Sequence, residues 1–302
     1  MKRVLLTGGT GFIGRQTVDP LLARGFDVHL AVLPSEVAAT TSPAGTTIHA
    51  CDLFDPDGVR KVMRAVCPSH LLHLAWYVVH GQFWTSPENH RWVQVSLDLL
   101  RSFAQRGGRR AVMAGTCAEY DWSQGTCREN ITPLAPRSLY GQCKMAIHQS
   151  AEEFAQGAAV SLAWGRIFFL YGPGEASARL VPSIILPLLA GQRATCRQGS
   201  HVRDLLHVSD VAAAFVALLD SDVRGAVNIA SGCPASLGQV AETIARILEK
   251  SRMLDVQEAQ PLPDNPIAIT ADTRRLNEEV GWRSALSLEQ GLRQTIDWWK
   301  GQ

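Results

Sequence analysis

Thr7-Gly8-Gly9-Thr10-Gly11-Phe12-Ile13-Gly14 packs four glycines into eight residues close to the N-terminus. It follows the short apolar run Val4-Leu5-Leu6 and precedes an apolar segment with helical spacing, which makes it the turn of a strand-turn-helix. Gly8, Gly11 and Gly14 form G-x-x-G-x-x-G. In that position one glycine allows the tight turn, one lets the backbone approach a pyrophosphate, and one lets helix and strand pack closely. The helix N-terminus adds free N–H groups and the positive end of a dipole. A glycine triplet by itself says little; the strand before it and the helix after it mark a dinucleotide-binding turn.

Outward from this turn, residues 12–24 read as the first helix, ended by Gly25, and 27–32 as the second strand. In NAD-binding folds of this kind an acidic residue near the end of that strand holds the ribose hydroxyls. The position here is Val32, followed by Leu33-Pro34-Ser35. No carboxylate stands there to repel a 2′-phosphate, which tilts the reading to NADP; no arginine stands there to grip that phosphate, which keeps NAD open. Strands follow at 46–51, 71–74, 111–114 and 160–167, separated by helices at 55–66, 88–105 and 138–156. Strands and helices alternating at this spacing predict a doubly wound parallel Rossmann sheet. Beyond it, helices at 180–190, up to 219, 236–249 and 288–299, with a short strand at 228–230, predict a smaller C-terminal α+β substrate lobe. The dinucleotide lobe is expected over 1–170 and 206–230, the substrate lobe over 171–205 and 231–302.

Bulk properties exclude several classes. A formal net charge of +1 with no long basic run leaves no electrostatic footprint for nucleic acid. The N-terminal apolar run is too short for a signal peptide or a membrane span. None of the cysteines is spaced C-x-x-C, so neither a zinc site, nor any other metal, nor a disulfide framework is expected. Reduced thiols in a cytoplasmic protein is the simplest reading. Helices 88–105 and 138–156 are the candidate homodimer surface.

Tyr140 and Lys144 are four apart inside a predicted helix, so they share a face. A phenol with its ordinary pKa near 10 is a poor acid–base group at pH 7. A neighbouring ammonium favours the phenolate and lowers that pKa. The pair can then exchange a proton with an alcohol or carbonyl oxygen while hydride moves to or from nicotinamide. Lys144 can also hydrogen-bond the nicotinamide ribose. Thr116, at the exit of the fifth strand, is placed to hold the reacting oxygen, and strand C-terminal ends are where such sheets bind ligands.

In this order the motifs resemble the extended short-chain dehydrogenases/reductases, in the branch that modifies nucleotide sugars. The resemblance covers nearly the whole chain. It rests on the glycine turn at 7–14, Asp52-Leu53, His73-Leu74-Ala75, Thr116 four residues before Tyr120, Tyr140-Gly141-Gln142-Cys143-Lys144, Tyr171-Gly172-Pro173-Gly174, and Arg203 through Asp210. The form Gly115-Thr116-Cys117-Ala118-Glu119-Tyr120 is most similar to CDP-abequose synthase-type 4-ketoreductases. The resemblance implies that Gly8, Gly11, Phe12, Ile13 and Gly14 hold the pyrophosphate, and that Asp52 and Leu53 contact adenine. Leu74, Ala75 and Trp76 would line the cofactor ribose region. Thr116, Tyr140 and Lys144 would be the catalytic triad. Phe168 and Phe169 would lie against nicotinamide and substrate, and Arg203 would contact the substrate diphosphate, which suits a bidentate guanidinium. An ion pair of Arg203 with Asp204 is the bland alternative for that residue.

Departures from the family pattern narrow the reaction. Thr116-Cys117-Ala118 replaces the Thr-Asp-Glu of 4,6-dehydratases, which argues against elimination. Ala118 and Gly174 stand where GDP-fucose-forming epimerase-reductases carry cysteine and histidine, which argues against 3,5-epimerisation. Trp92 stands where the family often has asparagine, and no second diphosphate-binding arginine is evident near Asp264. The leading expectation is NAD(P)-dependent reduction of a 4-keto nucleotide sugar, with Tyr140 as acid. The alternative is an NAD-dependent C4-epimerase. A non-catalytic dinucleotide-binding regulator is a third class, whose mark would be a damaged triad, and this triad is intact. Of the remaining candidates, Cys117 reads as a small buried residue, His73 as a satisfied core histidine, and His207 as a structural hydrogen-bonder. Trp76, Tyr77, His80 and Trp84 read as an aromatic loop beside the site, suited to stacking on sugar or base or to packing between the lobes. Trp298-Trp299 reads as core or interface.

Overall fold

The computed structural model describes residues 2–40, 44–258 and 265–302; Asp264 lies outside them. Seven strands form one sheet in which every neighbouring pair is parallel: β1 (Lys2–Thr7), β2 (Phe26–Val32), β3 (Thr46–Ala50), β4 (His70–His73), β5 (Arg110–Thr116), β6 (Ser161–Ile167) and β7 (Gly225–Ile229). Their order across the sheet is 3-2-1-4-5-6-7. The direction of winding reverses between β1 and β4, which opens a crevice at the C-terminal ends of those strands. The glycine turn leaves β1 at that crevice.

Both faces are covered, which is why the middles of the central strands are apolar runs: Val4-Leu5-Leu6, Leu71-Leu72 and Ala111-Val112-Met113-Ala114. The apolar stripes of α2 (Pro56–Val66), α3 (Glu88–Gln105) and α4 (Leu139–Gly157) bury Val62, Leu99, Phe103 and Ile147 on one face. On the other, α1 (Val18–Ala23) and the apolar helix Val208–Leu219 bury Leu21, Val211 and Phe215. Leu180–Leu189, Leu237–Ile247 and Leu288–Lys300 pack together in a separate core with Ile184, Val240 and Ile296. Among the described residues no helix is long and apolar enough to cross a membrane.

Two local features differ from the sequence expectation. The helix read over 12–24 is a single 3-10 turn, Gly14–Gln16, followed by α1. Pro20 is the reason: it has no N–H to give to the Gln16 carbonyl, so an unbroken α-helix through it lacks that bond. A second difference is a four-stranded sheet joining Ala235–Ser236, Val202–Arg203, Ala268–Ala271 and Thr126–Cys127. Thr126–Cys127 comes from within the stretch 1–170 yet pairs with Ala268–Ala271 near the C-terminus. A two-residue strand has too little pattern to be read from sequence.

The glycine turn is as tight as its spacing implies. Gly8 has φ +71°, and a Cβ on Gly14 would lie 1.9 Å from the Gly8 carbonyl oxygen. A methyl group there forces backbone apart rather than a side chain. Gly14→Ala is therefore expected to lower the unfolding free energy, measured by urea denaturation without ligand, by about 2 kcal/mol or more. An unchanged midpoint would mean that the turn is looser than described.

Candidate functional site

A cleft of about 950 Å³ runs along the C-terminal ends of the sheet strands. Every residue given a catalytic, cofactor or substrate role above lines it: Gly8, Gly11, Phe12, Ile13 and Gly14 at the turn, Asp52 and Leu53 after β3, Leu74, Ala75 and Trp76 after β4, and Thr116, Tyr140, Lys144, Phe168, Phe169 and Arg203 beyond; of the aromatic loop, Trp84 lines it too, while Tyr77 and His80 do not.

The turn forms a cradle. Gly11 N–H donates to the Gly8 carbonyl at 3.0 Å, and Arg15 N–H to that of Gly11 at 3.1 Å. Among the described residues no acceptor takes the N–H of Phe12 or Ile13. Two unspent amides at a helical start, with no side chain over the glycines, fit a pyrophosphate. The Asp52 carboxylate is turned back to accept the Phe54 N–H at 2.9 Å.

The far wall of the turn corrects the reading of the second strand. Val32 and Leu33 line the cleft as expected, but so does Glu36, whose carboxylate accepts from Thr10 Oγ1 at 3.2 Å. The chain bends after Pro34 into a short 3-10 turn, Val37–Ala39, and brings a carboxylate to the place where the sequence showed none. The tilt toward NADP rested on that absence and falls with it.

The chemistry-bearing end is assembled by the turn after β5. Thr116 caps a 3-10 turn at Cys117–Glu119: its hydroxyl accepts the Ala118 N–H at 3.2 Å, and the Glu119 carboxylate accepts the Thr116 N–H at 2.8 Å. Glu119 is fully buried, and it also accepts from Trp164 Nε1 at 2.9 Å and Arg166 Nε at 2.8 Å. Arg166 in turn donates to the Tyr120 hydroxyl, which donates to Asn228 Oδ1. Gly115 makes this possible, since a Cβ there would lie 2.0 Å from Trp164 Nε1. The sequence reading missed Glu119, although the Ser/Thr-x-x-Glu spacing of a capping box was present.

Tyr140 and Lys144 lie on the buried face of α4, which Ser138 caps. Burial holds the Tyr140 phenol above its ordinary value; a hydrogen bond with Thr116 and the charge of Arg179 work against that rise, and Glu119 and Cys117 add to it. Burial pushes the Lys144 ammonium down to about 7, with Glu119 pulling the other way. Lys144 Nζ donates to the Ala114 carbonyl at 2.8 Å. The edges of Phe83 and Trp84 meet the Tyr140 ring at centroid distances of 4.9 and 5.7 Å, and the Trp84 carbonyl accepts the Tyr140 N–H. The loop that the sequence marked as aromatic thus covers the phenol.

Arg203 makes no ion pair with Asp204. Asp204 accepts from Ser231 and Gly232, while Arg203 donates to the carbonyls of Val202 and Ile267 and to Asn265 and lies over the Phe169 ring. Phe168 is buried against Tyr120. His73 is a core histidine, bonded to Thr7 and Ser96 and pushed down to about 3 by burial. Burial raises the Cys117 thiol far above its ordinary value, so it has no thiolate to offer. His207 caps the helix Val208–Leu219.

Glu175 and Arg179 also line the cleft, and nothing in the spacing marked them. Glu175 is buried, its Oε2 has no hydrogen-bond partner among the described residues, and Arg179 Nε stands 3.9 Å away. Burial pushes its carboxyl up to about 8, against Arg179 and the Gly172 backbone. Between the ordinary carboxyl pKa and 8 the folded chain then binds more protons than the unfolded chain, so this group makes stability fall as pH rises through that window. Glu175→Gln is expected to remove that fall and to gain roughly 2–5 kcal/mol at pH 9 relative to pH 5. Parallel pH–stability curves for the two proteins would contradict the burial of this carboxyl.

The profile of a family described as NAD dependent epimerase/dehydratase matches residues 4–230. UDP-glucuronic acid decarboxylase 1 of Arabidopsis thaliana is 26% identical, over 96% of this chain and 68% of that protein. Among solved structures, the UDP-glucose 4-epimerase of Thermus thermophilus in complex with NAD is 27% identical with a TM-score of 0.82, covering 99% of each chain. MoeE5 in complex with UDP-glucuronic acid and NAD is also 27% identical, with a TM-score of 0.84 and 99% coverage of each chain.

Proposed function

Because the chain belongs to the NAD dependent epimerase/dehydratase family, we propose that it oxidises and re-reduces C4 of a nucleotide hexose with a retained NAD, as a C4-epimerase. The observation that carries this reading is the convergence of Thr116, Tyr140 and Lys144 in the cleft that also holds the glycine cradle. Bound NAD would supply the hydride acceptor and donor. The Phe12 and Ile13 amides would hold its pyrophosphate, with Leu74, Ala75 and Trp76 along its ribose and Asp52 and Leu53 at adenine.

The chain's own residues then carry the proton. Tyr140, whose phenol lines the cleft beside Thr116, takes the proton of the C4 hydroxyl and later returns it. Thr116 keeps the C4 oxygen in line with the phenol. A charged Lys144 lowers the barrier to phenolate formation. Arg203, whose Nε meets no hydrogen-bond acceptor among the described residues, grips the diphosphate while the hexose turns. Glu36 favours NAD over NADP, since a 2′-phosphate beside a carboxylate is repelled. Relatives that act on UDP-glucose and UDP-glucuronic acid support a nucleotide-sugar substrate. Net reduction of a 4-keto nucleotide sugar uses the same triad and is the second reading, favoured by the Gly115–Tyr120 motif form. Pairing of two chains through α3 and α4 belongs to this proposal as well, and light scattering reads it.

The test is conversion of a panel of nucleotide hexoses and UDP-glucuronic acid by the purified protein. Interconversion of C4 epimers without added reductant is expected; oxidation of added NADPH with a 4-keto sugar would favour the second reading, and CO2 release from UDP-glucuronic acid would replace both. Tyr140→Phe is expected to lower turnover by roughly 100-fold or more with little change in NAD affinity. Near wild-type turnover would remove Tyr140 from its role. NAD is expected to bind at least about tenfold more tightly than NADP, and Glu36→Gln to narrow the gap by roughly the strength of one charge contact; an unchanged ratio would take Glu36 out of cofactor choice.

A further inference from the structure

Lys144 poses a problem for any acid–base role. Burial drives the ammonium and the Tyr140 phenol toward their neutral forms, whereas proton exchange near neutrality needs a charged lysine beside the phenol. Several groups bear on Nζ. The Ala114 carbonyl takes one N–H at 2.8 Å. The Glu119 carboxylate favours the cation, but it is engaged with Arg166 at 2.8 Å. His73, on β4, is neutral and bonded to Thr7 and Ser96, and Tyr140 lies one turn back on the same helix.

The remaining neighbour is the indole of Trp76, whose ring centroid lies 3.7 Å from Nζ. This ring is fixed. Its Nε1–H donates to Asn89 Oδ1 at 2.8 Å, and fully buried Asn89 donates to the carbonyls of Phe83 at 2.7 Å and Ser86 at 2.9 Å. A cation over the face of an indole is attracted by the ring quadrupole, most strongly where water is excluded. Of three N–H bonds on Lys144, one is spent on Ala114 and one side is covered by the ring, which leaves the remaining direction for Tyr140 and the cofactor ribose.

We propose that Trp76 is a positioning residue: its indole face, set at a fixed angle by Asn89, keeps Lys144 charged and aimed, so that Tyr140 exchanges its proton near neutral pH. This rests on the reading of Tyr140 and Lys144 as the acid–base pair. The role differs from lining the cofactor ribose, which any small residue after Ala75 performs.

The test replaces Trp76 site-specifically in the full-length, NAD-loaded protein by mono-, di- and tetrafluorotryptophan. These keep the ring's shape and its N–H bond to Asn89 while draining charge from its face. The readout is the tyrosinate absorbance titration, with the Tyr140 share isolated by subtracting the Tyr140→Phe spectrum, alongside the pH profile of turnover. The Tyr140 midpoint is expected to climb with each fluorination step by about one pH unit in all, equivalent to about tenfold lower turnover at neutral pH, with NAD affinity and melting temperature unchanged. A flat series overturns the proposal. A climbing series supports it, and if the same protein converts no nucleotide sugar, only the functional reading fails.

Discussion

A buried carboxylate, Glu119, is the constraint on which the reactive end of this protein depends. It has no exposure to solvent, and it is tolerated there because three donors converge on it: the Thr116 N–H, the Trp164 indole and the Arg166 guanidinium. Removing one partner of such a pair leaves an uncompensated charge in the interior, at a cost of about 3–5 kcal/mol. The same contacts determine the path of the chain after β5. Thr116 can present its hydroxyl to the cleft because Glu119 reaches back to its N–H and closes the capping box. The charge also reaches the two titrating neighbours, where it favours the Lys144 cation and opposes the Tyr140 phenolate. Arg166, beside it, limits both effects.

The cleft has two unlike ends, and each follows from a different property of the chain. At one end backbone dominates: glycines bring carbonyls and amides so close that a Cβ on Gly8 or Gly14 would collide with backbone. At the other end aromatic side chains dominate. Trp76, Phe83 and Trp84 pack edge to face round the ring of Tyr140 and leave it largely buried. Exclusion of water strengthens every charge interaction there and also raises the cost of each charge. The lysine and tyrosine of this site therefore depend on their neighbours more than exposed groups would.

The sequence made the repeating parts of this architecture legible because they obey simple periods. The glycine spacing after β1 identified the turn, the apolar stripe over 88–105 coincides with α3, and Asp55 does cap α2. Thr116, Tyr140 and Lys144 were legible as a set because helical spacing and strand-end position put them on one side. What was hidden depends on the path of irregular chain. Glu36 reaches the cleft only through the bend after Pro34, Glu175 only through the loop after Tyr171, and Thr126–Cys127 finds its partner strand from the far end of the chain. The break in the first helix was present in the sequence as Pro20, and apolar spacing masked it.

In the proposed reaction hydride leaves C4 of a nucleotide hexose and returns to the same carbon in a closed cycle, while Tyr140 and Thr116 handle the proton beside Lys144. Deuterium placed at C4 of the hexose that the protein converts reports on that cycle. Both C4 epimers are expected to retain the label at C4, with none entering solvent. Loss of the label to water, or its replacement at C4 by hydrogen from added reduced nucleotide, would contradict the closed cycle.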